Sequence, residues 1–304
     1  MIIRFNKDLS KEEVWANGVE LASIMGHDRS KGQRIITYLE DKKVPVHQFK
    51  NPVLVTDNHR IARLSPSLRD TLFSLFSRSK RIVEYNGIST YSDDSHVNVW
   101  SPSIDTLLFA KALRGVLKKG PFASGVEIGC GSGFLSKYVL MKHNKLKSFL
   151  VIDLNPYAIK CAMDNIKDSR AVFYTGDGWK KIQNQRFDLM ICNPPYVPRP
   201  KSIDDNPYEG VGLLNHLIHE GEKYLNPKGV LVVNVSSLCQ DIVFRKKLKM
   251  KMKVLAKMTV PLKVNNILNN KAWLNYLLKK RHLKKQHKDG YDYWHTISVI
   301  QLER

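Results

Sequence analysis

Val126-Glu127-Ile128-Gly129-Cys130-Gly131-Ser132-Gly133-Phe134-Leu135 sets three glycines at alternate positions between an apolar run and a segment that continues as a helix. Glycine admits backbone angles closed to other residues and lets a ligand approach the main chain, while a helix that starts there presents N–H groups without partners. The next apolar run ends Val151-Ile152-Asp153-Leu154-Asn155-Pro156. A carboxylate at the carboxyl end of the second strand is where a doubly wound sheet holds ribose hydroxyls. Asp153 could instead cap the helix before Pro156, although Asn155 is better placed for that cap. A dinucleotide fingerprint requires G-x-G-x-x-G. Here the third glycine comes one residue early and Phe134 stands in its place, which favours another nucleoside ligand.

Outward from this loop, apolar runs and amphipathic segments alternate. The pattern predicts a helix over 102–118, a strand at 125–128, a helix after Gly133, a strand at 149–152 and a helix after Pro156. Strands at 171–174 and 187–192, a helix near 213–224, a strand at 230–235 and a late strand at 293–300 follow. Such alternation implies an α/β fold, a mostly parallel sheet covered on both faces. Residues 1–95 read instead as a small, mainly helical unit. Ser10-Lys11-Glu12-Glu13 has capping-box spacing, a second helix is expected over 30–43, and Ser65-Pro66 opens a third. The polar run Tyr91-Ser92-Asp93-Asp94-Ser95-His96 is the expected linker to a second domain, 96–304.

Composition limits the partners. No run of 18 apolar residues spans a membrane, and the first residues turn polar too soon for a secretory signal. The four cysteines are isolated, which points to reduced thiols in a cytoplasmic protein and to no metal. Of the net charge of +21, residues 242–304 hold sixteen basic and three acidic residues, and 242–288 hold fifteen Lys or Arg with no acid. That block would attract a polyanion such as nucleic acid or a ribosomal surface; the plainer reading is a lysine-rich solvated face.

Asn193-Pro194-Pro195-Tyr196 follows the strand-like run 187–192. An amide or nucleobase amino nitrogen is a poor nucleophile because its lone pair is delocalised. Acceptors aimed at its two N–H groups hold it and weaken that delocalisation as a bond to carbon forms. Asn193 offers a side-chain oxygen, Pro194 a backbone carbonyl on a turn that Pro195 restricts, and Tyr196 a ring to lie against a planar group. Asn193 has no useful basicity, so its role is positioning and electrostatic.

Together, Glu127-Ile128-Gly129-Cys130-Gly131-Ser132-Gly133, Asp153 and Asn193-Pro194-Pro195-Tyr196 resemble the motifs of class I S-adenosylmethionine-dependent methyltransferases. The resemblance implies a Rossmann-like fold, a mostly parallel seven-stranded sheet with helices on both faces, and S-adenosyl-L-methionine as cofactor. It implies Gly129, Gly131 and Gly133 beneath the methionine part, Asp153 on the ribose and Asp177 at the adenine amino group, where an ordinary turn aspartate is the alternative. Glu127, Cys130, Leu154, Gly178, Thr106 and Asn193 are expected beside them, with Asn193, Pro194, Pro195 and Tyr196 as the catalytic turn. The extended run through Val197-Pro198, and Trp100-Ser101-Pro102-Ser103-Ile104-Asp105-Thr106 upstream, are similar to the HemK-like branch, which methylates a protein glutamine. That implies a release factor or ribosomal protein as partner, docked with help from the N-terminal unit. The same turn occurs in adenine N6 enzymes and related turns in guanine N2 enzymes, so an RNA or DNA base is the alternative recipient. Trp273, Tyr276, Tyr291 and Trp294 would then offer stacking surfaces, although aromatics at such spacing are more often core. A non-catalytic, cofactor-binding RNA module is a third reading.

Overall fold

Leu150-Val151-Ile152 and the run 230–235 carry almost no polar side chain, so neither face of these strands can meet water, and both lie inside the sheet. The computed structural model describes residues 2–5, 36–39, 42–44, 81–93, 95–100, 102–202, 209–262, 264–268, 270–288 and 291–304. Strands β1 (Ile2–Phe5), β2 (Ile36–Leu39), β3 (Lys42–Val44), β4 (Arg81–Tyr85) and β5 (Ile88–Ser92) form one sheet in the order β3-β2-β1-β4-β5.

The larger sheet follows. Helix α1 (Ile104–Lys119) leads into β6 (Ser124–Ile128), α2 (Phe134–Lys142), β7 (Ser148–Asp153) and α3 (Pro156–Asn165). Next come β8 (Ala171–Thr175), α4 (Gly178–Ile182), β9 (Phe187–Cys192) and α5 (Gly212–Glu220), with a 3-10 turn before β10 (Leu225–Ser236). The chain ends with α6 (Gln240–Val243), β11 (Lys251–Pro261), α7 (Asn265–Leu268), α8 (Lys271–Lys280), β12 (Lys284–Lys288) and β13 (Tyr291–Glu303). Seven strands run β11-β13-β10-β9-β6-β7-β8, and short β12 pairs with β13 beyond that path. The pairs from β8 to β10 are parallel; β13 runs antiparallel to β10, β11 and β12.

Alternate residues supply the two apolar layers. Phe149, Val151, Leu189 and Ile191 point to a layer closed by α1, α2 and α3, through Leu107, Leu113, Tyr138 and Ile159. Their neighbours Leu150, Ile152, Met190 and Cys192 face the other way, where α5 contributes Leu214, Leu217 and Ile218. This two-sided burial fixes strand register, because a slip of one residue would exchange the layers. It therefore fixes which loops meet at the carboxyl ends of β6, β7, β8 and β9.

Three expectations need correction. The helix expected over 30–43 is not formed by the described residues of that segment, which are strands β2 and β3; Thr37, Tyr38 and Val44 favour extended backbone. The helices expected near 10–25 and from Ser65 lie outside the described residues, and with them most of the helical unit expected over 1–95. The run expected as a linker is bound to the larger unit. Tyr91 N donates to Asn165 Oδ1 at 2.8 Å, and Asn165 Nδ2 returns a bond to Tyr91 O at 2.8 Å. His96 is buried between Asp93 and Asp164. Lastly, the basic block, expected as an insertion or tail, contains the elements β11, α7, α8 and β12. Trp273 and Trp294 are 3% and 5% exposed, and Tyr276 is half-buried beside Arg281, so the stacking surfaces expected there are largely core. Tyr291 belongs to β13, and its side chain is outside the described ones.

Among the described residues no helix is long and apolar enough to cross a membrane.

Candidate active site

The loop after β6 is shaped by its glycines. Gly129 has φ of +76°, and a Cβ built on it would meet nothing within 4 Å, so the main chain there is open to a ligand. Gly133, at φ +79°, serves packing: a Cβ would come 2.9 Å from the Cβ of Ala162 on α3. The N–H groups expected to await a ligand are partly used within the protein. Gly129 N and Cys130 N donate to Ile152 O at 2.8 and 3.0 Å, and Gly131 N donates to Asp153 Oδ2 at 2.9 Å. Ser136, in the first turn of α2, gives both its hydroxyl and its N–H to Glu127. Glu127 is buried, and that burial pushes its carboxyl up to about 8 against the Ser136 bonds that lower it.

Asp153 ends β7. Its Oδ1 accepts from Asn155 N at 2.9 Å, while Asn155 caps α3 through Tyr157 N, so the cap belongs to Asn155. Burial raises the Asp153 carboxyl above its ordinary range, against the lowering bonds from Asn155 and Gly131. Leu154 beside it is 46% exposed. Asp177 caps α4 by accepting from Trp179 N at 2.9 Å, and Gly178 lies under Ile128 and Ile152, where a Cβ would come 3.3 Å from Ile128 Cγ2. The Cys130 side chain is buried in the core, leaving only its backbone toward the loop. Trp100 crosses this loop: its carbonyl oxygen is 3.2 Å from where a Gly131 Cβ would stand.

The second cluster is built around Asn193. Its Nδ2 donates to Asp105 Oδ2 at 3.0 Å and lies 3.4 Å from Thr106 Oγ1. Its Oδ1 accepts from Asn234 Nδ2 at 2.7 Å. The Tyr196 hydroxyl donates to the same Asp105 Oδ2 at 3.1 Å. Burial, then the Asp105 charge, hold that phenol well above its ordinary range, so it stays a neutral donor. His295, bound through Nδ1 to Ser236 Oγ at 2.9 Å, stands behind the Tyr196 ring with centroids 6.2 Å apart. Pro194 is buried and Pro195 half-buried at the head of the turn.

Asp105 and Asn234 were not singled out from the sequence. Both left a signal. Asp105 lies in the upstream run ending at Thr106, and Asn234 is a polar residue in the middle of Val230-Leu231-Val232-Val233-Asn234-Val235, where an apolar residue would otherwise sit. Asn234 is fully buried and its Oδ1 has no hydrogen-bond partner. Leaving such an acceptor unpaired costs about 1–3 kcal/mol.

A family model described as methyltransferase small domain matches residues 101–259, a span that contains both clusters. The chain belongs to the methyltransferase small domain family. It is 30% identical over 206 residues to a Methanocaldococcus jannaschii protein provisionally named a protein N5-glutamine methyltransferase, covering 63% of this chain and 98% of that one. A release factor glutamine methyltransferase of Aquifex aeolicus is 26% identical over 128 residues, 36% of this chain and 45% of its own length. A ribosomal RNA large subunit methyltransferase K/L of Buchnera aphidicola is 23% identical over 273 residues, 79% of this chain and 38% of its own length. The chain thus spans less than half of these last two relatives.

A methyltransferase of this family depends on S-adenosyl-L-methionine, and the residues present fit it. The open main chain at Gly129, the carboxylate of Asp153 and the exposed face of Leu154 line one side of the loop edge that the transfer cluster shares. When bound, the cofactor supplies a methyl group on a positively charged sulfur that a nucleophile can displace in line. Asp105 and Asn234 hold the two ends of the Asn193 amide, so the direction of its oxygen is fixed within the protein.

Proposed function

We propose that this methyltransferase transfers its methyl group to the side-chain amide nitrogen of a glutamine in a protein of the translation machinery, a release factor or a ribosomal protein, in the cytoplasm. The observation that carries the reading is the clamp on Asn193. With Nδ2 on Asp105 and one bond already accepted from Asn234, Oδ1 keeps a single acceptor direction for one substrate N–H. The Pro194 carbonyl takes the other N–H, and the Tyr196 ring lies against the planar amide. Gly129, Gly131, Gly133, Asp153, Leu154 and Asp177 hold the cofactor, with Glu127, Cys130, Gly178 and Thr106 shaping the walls. Residues 1–95 help dock the recipient. Support for glutamine comes from the relative that this chain matches over 98% of its length.

A ribonucleic-acid base is the second reading, favoured by the ribosomal RNA methyltransferase relative, whose match extends over 79% of this chain. The two separate in one experiment. Cell extract is incubated with enzyme and methyl-labelled cofactor, then split between nuclease and protease. Label that survives nuclease and is released by protease supports the glutamine reading; the opposite sensitivity removes it.

A further inference from the structure

The basic block is not one surface. Strand β11 begins with Lys251 opposite Glu303 and ends with Pro261 opposite Trp294, while Ser236 at the end of β10 stands opposite Ile297. The chain therefore leaves the sheet after Pro261 at the edge where Asn193 and Asn234 lie and rejoins it there as β12, paired with β13, and the lysines at the start of β11 lie toward the other edge. This excursion is fastened to the transfer turn. Trp273 on α8 donates from Nε1 to Pro198 O at 2.8 Å, two residues beyond Tyr196. It packs with Leu238, Leu262, Ile267, Leu277 and Leu283, Val197 packs against that cluster, and the Arg199 guanidinium lies 5.3 Å over the Trp273 ring. The wall beside the site is thus held by a core of its own.

Lys271, Lys279 and Lys280 on α8 and Lys284 and Lys285 on β12 are all exposed and surround this core on more than one side. Arg281 is bound to Asp241, whereas none of these five lysines has an ion-pair partner among the described residues. The fully exposed residues among and beside them are Ala272, Asn275, His282 and Gln286, with Leu274, Tyr276 and Leu278 half-buried. The large exposed apolar side chains of the described residues, such as Trp100, Met141 and Met252, all lie outside this excursion. A peptide surface draws its affinity from apolar anchors in pockets, and an interfacial membrane surface needs apolar side chains to insert. Point charges on a firm support with no apolar relief suit a phosphodiester backbone, where neutralising phosphates and releasing counterions supply the affinity.

We propose that the exposed lysines of α8 and β12 bind the phosphate backbone of RNA, so that the methyl acceptor is presented to Asn193 on a protein seated in RNA. This rests on the glutamine reading for the acceptor but not for the RNA contact. The test compares two fourfold variants of equal charge loss: Lys279→Gln, Lys280→Gln, Lys284→Gln and Lys285→Gln on α8 and β12, and Lys118→Gln, Lys119→Gln, Lys142→Gln and Lys145→Gln at the far ends of α1 and α2. Matching unfolding temperatures establish that both are folded. Binding of a fluorescent 20-nucleotide single-stranded RNA and of a polyglutamate peptide is read by anisotropy across a salt series. The site-edge variant is expected to lose at least tenfold in RNA affinity, with a log–log salt slope shallower by about 2 to 3, while the far-edge variant loses less than twofold. Transfer to ribosomal particles falls with the same variant. Equal losses in both variants, or polyglutamate bound as tightly as RNA, overturn the proposal. A protein substrate that takes no label at glutamine while the RNA comparison holds defeats the functional reading instead.

Discussion

Asn234 Nδ2 donates to Asn193 Oδ1 at 2.7 Å, from a strand interior where the remaining oxygen of Asn234 has no partner. An apolar residue there would leave no such unpaired oxygen, and the reading that Asn234 is kept to hold the Asn193 amide is open to test. Asn234→Leu, close in volume, is expected to leave unfolding free energy within about 1 kcal/mol of wild type or above it. Turnover falls at least tenfold with little change in the KM for cofactor. Urea denaturation and steady-state kinetics check both; a large stability loss with unchanged turnover would make Asn234 purely structural.

Asp105 receives both Asn193 and Tyr196, so its removal strands two donors at once. Asp105→Ala is expected to cost about 1–3 kcal/mol of stability and to lower kcat by about a hundredfold. Adding Tyr196→Phe to that variant removes one stranded donor, and the double-mutant cycle is expected to show coupling of at least about 0.5 kcal/mol. Strict additivity in denaturation would show that the two side chains do not share the carboxylate.

The strands β6 to β10 and their helices were legible because burial on both faces leaves apolar runs of strand length, and Asn155 with Pro156 marks a helix start. The segment between β10 and β13 was not. In β11, Lys251, Lys253 and Lys257 sit on an exposed edge strand, so charge masked the pairing with β13 that Val254 and Val260 support. In α8, Trp273 and Leu277 have the one-turn spacing of a core stripe, but the fifteen surrounding charges suggested a surface for nucleic acid. The glycine loop and the Asn193 turn could be read locally. Asp105 and Asn234 lie 88 and 41 residues from Asn193, and that distance along the chain is why only the fold brings them together.

Gly129 and Gly133 are expected to fail differently. Gly133→Ala collides with Ala162 and is strained at φ +79°, so it destabilises the fold by at least about 1 kcal/mol. Gly129→Ala shares the backbone strain at φ +76° but meets no neighbour within 4 Å, so it costs less stability than Gly133→Ala, and its larger effect is a weaker cofactor affinity, by tenfold or more in calorimetric titration. Equal affinity in Gly129→Ala would remove the cofactor from that face of the loop.

Glu127 makes stability depend on pH. Its folded carboxyl titrates at about 8 against an ordinary 4.5, so between those values the folded state holds a proton that the unfolded state has lost. The contribution is greatest below about 4.5 and is lost as pH rises through about 8. Glu127→Gln cannot titrate, so the stability of wild type relative to this variant is expected to fall steadily across that window. A difference that is flat or rises with pH in denaturation series would contradict the raised carboxyl.

We propose that the Asn193 turn directs a methyl group to a planar side-chain nitrogen. This is tested most directly by tandem mass spectrometry of proteins from extract incubated with trideuteromethyl cofactor, comparing wild type with Asn193→Ala of proven cofactor affinity. The expected result is a deuterated methyl on a glutamine amide nitrogen with wild type and none with the variant. Equal labelling by the variant, or label confined to a carboxylate, thiol or ring carbon, would contradict it.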